Sequence, residues 1–183
     1  ALTLATELLE GDRLMANHHR GLWGYSGSGA DGAGRLSIQS TGVGAGSAAL
    51  VLAELIDLGL ATAIRVGTCR SETLNLDLGS MVAVGSSVSS AGERALDPRL
   101  TEGLAASAGT AAAVTSLDAH ADPAGAPVWD LETAALAAIS AEAGVRFGAL
   151  LIVSGSPAGS LGHEEVAAAT AAAGRAAAAV LAS

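Results

Sequence analysis

The sequence predicts an α/β protein, with helices layered on both sides of a central mixed, largely parallel sheet in a three-layer α/β/α arrangement. Three observations carry this expectation. Short apolar runs of β character alternate along the chain with segments whose apolar residues recur at helical spacing, the pattern of strands joined by crossover helices. Half of the residues are hydrophobic yet only 2% are aromatic, so the interior must be built mainly from Ala, Leu and Val, which let helices lie close on a sheet. At 183 residues the chain is long enough for one continuous core and reads as a single domain, 1–183.

Taken in order, Leu2, Ala5, Leu8 and Leu9 make one face of a helix over 1–10. Residues 24–34 are rich in Gly and Ser, a turn between two short strands of which 35–40 is the second. The Gly-rich bend Gly42-Val43-Gly44-Ala45-Gly46 then leads into a helix N-capped at Ser47, running to about Leu58 and stopped by Gly59. A short buried strand follows over 62–66 and another over 79–86. Between Ser86 and Pro127 the periodicity is weak, so that stretch reads as loop with one short helix near 98–107. Residues 128–142 read as helix, 146–154 as an apolar strand and 163–182 as an Ala-rich closing helix.

Composition also narrows the function. A formal net charge of -9 repels polyanions, and no basic cluster with interleaved aromatics offsets it. Nucleic acid is therefore not an expected partner, and any bound phosphate must be small and held by a few local groups. The single Cys69 permits no internal disulfide, which suits a reducing cytoplasm. Apolar runs such as 145–153 are too short to span a bilayer and the start lacks the order of a signal peptide, so a soluble protein with no membrane partner is expected. The chain opens on Ala1 without Met, which reads as a polypeptide processed, trimmed or cut from something longer.

Several residues carry chemistry. The Gly-rich bend follows a strand and opens a helix, but it is not a dinucleotide fingerprint: the third glycine falls at Ser47, and Ile or Arg stands where the ribose-binding acid belongs. It serves either as a tight turn or as a place where backbone N–H groups meet an anion. In "AIRVGTCRS", Arg65 stands at the end of an apolar run, where a permanently charged, planar donor needs a carboxylate or phosphate partner. With Gly67 and Thr68 offering N–H groups and a hydroxyl in the same turn, it makes either an oxyanion pocket or an internal salt bridge. Glu132, in "VWDLETAAL", is either an acid favoured, like Asp130, by a helix N-terminus or a carboxylate that binds sugar hydroxyls. Trp129 either stacks on a base or packs in the core. Cys69 reads as a packed small residue with no base to activate it. The adjacent His18 and His19 should diverge, which argues against a metal site, while His120 and His163 should be solvated.

The blocks "NHHRGLWGYSG", "STGVGAGSAALVLAELI", "AIRVGTCRS", "DLGSMVAV", "VWDLETAALAA" and "LLIVSGSPAGS" occur in an order that resembles the nucleoside phosphorylase family I, the purine nucleoside and uridine phosphorylases and related nucleosidases. The resemblance is strong over 17–81 and 128–154 and weak between 88 and 127. It implies a phosphorylase/hydrolase-like fold and phosphorolysis of a nucleoside, with inorganic phosphate as co-substrate and no other cofactor or metal. Arg65 and Thr68 match the residues that grip phosphate, with Gly67 between them. Arg20 matches the arginine that reaches into a neighbouring subunit's phosphate site. Glu132 matches the glutamate that holds the ribose hydroxyls, with Leu131 where Met is usual, and Val43 and Gly44 match the bend that faces ribose and phosphate. The base is then expected against Trp129, Cys69 and Arg70. Because the family shares sites across subunits, the resemblance implies a homo-oligomer of dimer units within a larger, often hexameric, ring.

The chain also departs from the family pattern. Alignment back from Arg20 sets Ala1 on the arginine of the leading Gly-Asp-x-x-Arg loop, so the given sequence is expected to lack the family's first strand and phosphate loop, which an active enzyme would need from further residues or another chain. Gly155 stands where purine-specific members place the Asp that protonates the base, and the Gln/Arg pair of pyrimidine members is not found in 116–127. Arg70 replaces a customary Gly. A catalytically reduced homologue, serving as a non-catalytic subunit or nucleoside-binding module in a hetero-oligomer, is the alternative reading.

Overall fold

A computed structural model of the chain describes residues 1–30, 34–73, 75–117, 122–123 and 125–183. At the N-terminus α1 (Leu2–Leu8) runs directly into β1 (Leu9–Asn17), which pairs antiparallel with β2 (Gly24–Gly29), itself paired antiparallel with β3 (Arg35–Gln39). The helix expected over 1–10 thus yields its last residues to a strand that the sequence did not announce. β1 leaves Leu14 65% and Met15 49% exposed, so it has no alternating buried face from which to read a period of two. Ala5, Leu9 and Tyr25, with Leu36 and Ile38 against them, form a small core of their own.

The larger sheet follows. Its elements are α2 (Ala45–Asp57), β4 (Thr62–Ser71), β5 (Met81–Ser89), β6 (Gly92–Ala95), α3 (Pro98–Ala108), β7 (Ala111–Ser116), β8 (Val128–Asp130), α4 (Thr133–Glu142), β9 (Arg146–Ser156), β10 (Gly159–Ser160) and α5 (His163–Leu181). The strand order is β10-β9-β4-β8-β7-β5-β6, and an additional pairing of β5 with β9 closes the central strands into a small barrel. Pairing is parallel for β4 with β9, β5 with β7 and β7 with β8, and antiparallel for β4 with β8, β5 with β9 and both edge strands. The protein is α/β as expected, but its sheet is evenly mixed and closed, not the largely parallel open layer of a plain sandwich. Which distant strands pair is decided by packing that no local pattern encodes.

Alternate residues of β9 enter two different clusters, which explains its unbroken apolar run. Ala149, Leu151 and Val153 pack with Leu52 of α2 and Leu136 and Ala137 of α4, while Leu150 and Ile152 pack with Leu104 of α3 and Ala173 and Ala177 of α5. None of the described helices is long and apolar enough to cross a membrane.

Boundaries differ from expectation at several places: residues 24–29, expected within a turn, form β2 against β1 and β3, and four others differ for local reasons. α2 starts at Ala45 with Gly44 in the cap position, and Ser47 lies inside it, its hydroxyl donating to the Thr41 carbonyl at 2.7 Å. β4 does not turn after Val66, because residues 67–70 continue the parallel ladder along β9. The 86–127 stretch holds β6 and β7 besides the expected α3. Residues 128–142 split into β8 and α4, since Asp130 ends the strand and accepts the Thr133 N–H at 3.0 Å.

α3 is capped by Asp97, which accepts the Leu100 N–H at 2.9 Å with Pro98 next in the chain. The Leu100 N–H, and after it Arg146 at 3.2 Å, hold the Asp97 carboxyl below the usual carboxylate range. Asp97→Ala should cost about 1 kcal/mol at pH 7, read from urea unfolding. A lowered folded-state pKa stabilises fully above the unfolded value and the contribution is lost as pH falls through the folded one. The gap between the two proteins should therefore narrow as the pH drops below about 4.

Candidate functional site

The site is organised by Arg65, which lies in the middle of β4 and not at a strand end. Its side chain folds back across Gly67, where a Cβ would collide with the guanidinium. Nη2 donates to Asp130 Oδ2 at 3.0 Å and to Glu132 Oε2 at 2.6 Å, and Nε donates to the Thr133 hydroxyl at 3.2 Å. Asp130 is wholly buried at the end of β8 and also accepts from the Thr133 hydroxyl and the Ser116 hydroxyl, both at 2.5 Å. Glu132, just before α4, accepts the Gly44 N–H at 2.6 Å through Oε1. One guanidinium thus faces two carboxylates, each further satisfied by short hydrogen bonds.

One expectation is corrected and one open alternative is decided. Gly67 and Thr68 belong to a strand, so Gly67 serves to admit the guanidinium and not to offer a turn N–H. The internal salt bridge of Arg65 is the alternative that the structure contains: the Arg65 and Gly44 donors both hold the Glu132 carboxylate.

A cleft of about 540 Å³ nevertheless remains beside them, lined by residues 41–43 of the bend, 65–70 of β4, 129–132 and Ser154. Arg65, Gly67, Thr68, Arg70, Trp129, Leu131, Glu132 and Val43 all contribute to it, with Thr68 and Val43 exposed. Arg70 lies half-buried with its guanidinium 5.8 Å from the centroid of the Trp129 ring, and the indole N–H donates to Glu72 Oε1 at 2.8 Å. Gly155 is buried alongside, and a Cβ there would collide with the Arg70 guanidinium.

Other expected residues are placed differently from the expectation. Arg20 is exposed on a 3-10 turn outside the cleft, at φ 55, a left-handed conformation uncommon for a residue with a Cβ. Cys69 borders the cleft but is 3% exposed, and its thiol donates to the Ile152 carbonyl at 3.6 Å, so the thiol is turned into the core and not toward a base. Burial, reinforced by Asp130 and opposed by Arg65, pushes that thiol up to about 12. It supplies no thiolate at neutral pH. The His18 and His19 rings do not diverge but stack at 4.8 Å, because they enter the 3-10 turn and not a regular element. Among the described residues no three His, Cys, Asp or Glu side chains gather to hold a metal. His163 begins α5 and is exposed, whereas His120 and part of the 116–127 stretch lie outside the described residues.

Sequence reasoning missed the supporting layer of Thr133 and Ser116 and read Asp130 only as a helix-start acid. The three-residue spacing of Asp130 and Thr133 was a usable signal, since an acid so placed accepts the N–H it faces. Ser116 comes from β7 and carried none. Compared with known proteins, the chain matches no family model and no curated sequence.

Removing Arg65 leaves two carboxylates without their cation in a mostly buried place. Arg65→Ala should lower stability by roughly 3–5 kcal/mol, and Arg65→Lys by less, in denaturant titrations. Cys69 should resist iodoacetamide in the native protein at pH 8 and react fully once urea unfolds it; native alkylation would contradict its placement.

Proposed function

We propose that the chain is a nucleoside phosphorylase-like pentosyl transferase, cleaving the N-glycosidic bond of a purine or pyrimidine nucleoside with inorganic phosphate. The proposal includes a phosphorylase/hydrolase-like three-layer architecture, a homo-oligomeric assembly to which Arg20 contributes from a neighbour, and a cytoplasmic setting. The observation that carries it is that Arg65 and Glu132 line one cleft together, with the Arg65 guanidinium and the Gly44 N–H both donating to the Glu132 carboxylate.

In this reading phosphate takes over Arg65 and the Gly44 N–H from Glu132, with Thr68 adding a hydroxyl. Glu132, released, accepts the ribose hydroxyls. A phosphate oxygen bonds to the anomeric carbon while the bond to the base breaks, through an oxocarbenium-like state that the nearby carboxylates favour. Phosphate and sugar therefore bind synergistically, because each requires the Arg65–Glu132 pair to open. The second reading, a binding module without turnover, is favoured by Gly155, which has no side chain with which to protonate a leaving base.

Base release from inosine, adenosine and uridine, measured by chromatography with and without phosphate, tests the proposal. Phosphate-dependent release is expected, and Glu132→Gln and Arg65→Lys should each lower kcat/KM by about 100-fold or more. Undiminished turnover in both variants would sink the assignment. Nucleoside binding without release would favour the second reading.

A further inference from the structure

We propose that Arg70 and Trp129 form the subsite for a heteroaromatic base whose edge carries a carbonyl in place of an exocyclic amine, and that Arg70 holds the negative charge of that base as it leaves. This deepens the nucleoside-cleaving reading and rests on it.

The sheet register sets three residues in a row, Arg70 of β4 between Trp129 of β8 and Gly155 of β9. The empty Cα of Gly155 leaves the guanidinium its room, and the indole under it is anchored through its N–H to Glu72. The two arginines of the cleft differ sharply. Arg65 is matched by two carboxylates, whereas among the described residues no acid pairs with Arg70, although it is half-buried. A half-buried cation stacked near a flat ring and left without an anion is suited to a planar guest that brings its own acceptor.

A guanidinium only donates, and it keeps its proton at neutral pH. It therefore cannot protonate the base. As the nucleophilic oxygen bonds to the anomeric carbon, the C–N bond breaks and its electron pair passes to the ring nitrogen. The charge delocalises onto the carbonyl oxygen facing Arg70, and water later supplies the neutralising proton. An exocyclic amine at that edge sets donors against donors and leaves both unpaired, which discriminates against the amino base.

The test uses the full chain, with hypoxanthine, adenine and inorganic phosphate as separate probes in calorimetric titrations. Hypoxanthine should bind about tenfold or more tighter than adenine. Arg70→Met should abolish the preference and Arg70→Lys should keep part of it. Gly155→Ala, which retains every charge but displaces the guanidinium, should weaken it. In turnover, the inosine to adenosine ratio of kcat/KM should change in parallel, a readout that a merely structural Arg70 does not move. Equal affinity for both bases in the parent, a preference that survives Arg70→Met, or loss of phosphate binding in place of that preference would each overturn the subsite. Phosphate-dependent inosine cleavage would still stand in those cases. If no base or nucleoside binds to protein that circular dichroism shows folded, the subsite and the reading beneath it fall together.

Discussion

A guanidinium held within a sheet at 11% side-chain exposure dictates most of what surrounds it. Arg65 cannot shed its charge, and leaving it unpaired in so dry a place costs several kcal/mol. Its environment is arranged accordingly. Gly67 clears the space above the strand, Asp130 ends β8 where its carboxylate meets the cation, and Glu132 closes the ring by reaching both Arg65 and the bend at Gly44. Thr133 and Ser116 then saturate Asp130, so the strand-to-helix junction of β8 and α4 and the end of β7 are all tied to one cation.

The same cluster shapes the cleft. Because Glu132 bridges the bend and the strand, the wall on that side is tied together and charge-matched from within. The other end, at Arg70 and Trp129, is cationic, and among the described residues no acid pairs with Arg70. The cleft is therefore polarised along its length, with two carboxylates beside Arg65 at one end and the Arg70 guanidinium at the other. Two glycines make this possible in the same way, Gly67 beneath one guanidinium and Gly155 beneath the other.

Legibility in the sequence followed burial on alternating or helical faces. α2, α3 and α5 were readable because each presents an apolar stripe to one of the two clusters, and β9 because it is buried on both sides. β1 was hidden by its exposed Leu14 and Met15, and β8 by its length of three residues, too short for any period to show. The extension of β4 through Gly67 and Thr68 was hidden too, because glycine after a strand ordinarily signals a turn; here it signals a close approach by a side chain two residues earlier.

The amino-acid sequence by itself determined that this is an α/β chain and that Arg65 had to meet an anion. It also singled out Arg65, Glu132, Thr68, Val43, Trp129 and Arg70, which share the cleft. The fold class and the demand of Arg65 need only local periodicity and the charge of a side chain, whereas Val43, Trp129 and Arg70 were singled out through the family resemblance. Tertiary structure alone decided that the sheet closes through β5 and β9, that the anion met by Arg65 is supplied from within by Asp130 and Glu132, and that among the described residues no acid pairs with Arg70. The reason is distance along the chain: each of those outcomes joins residues dozens of positions apart, and their meeting depends on strand register, which no window of sequence contains.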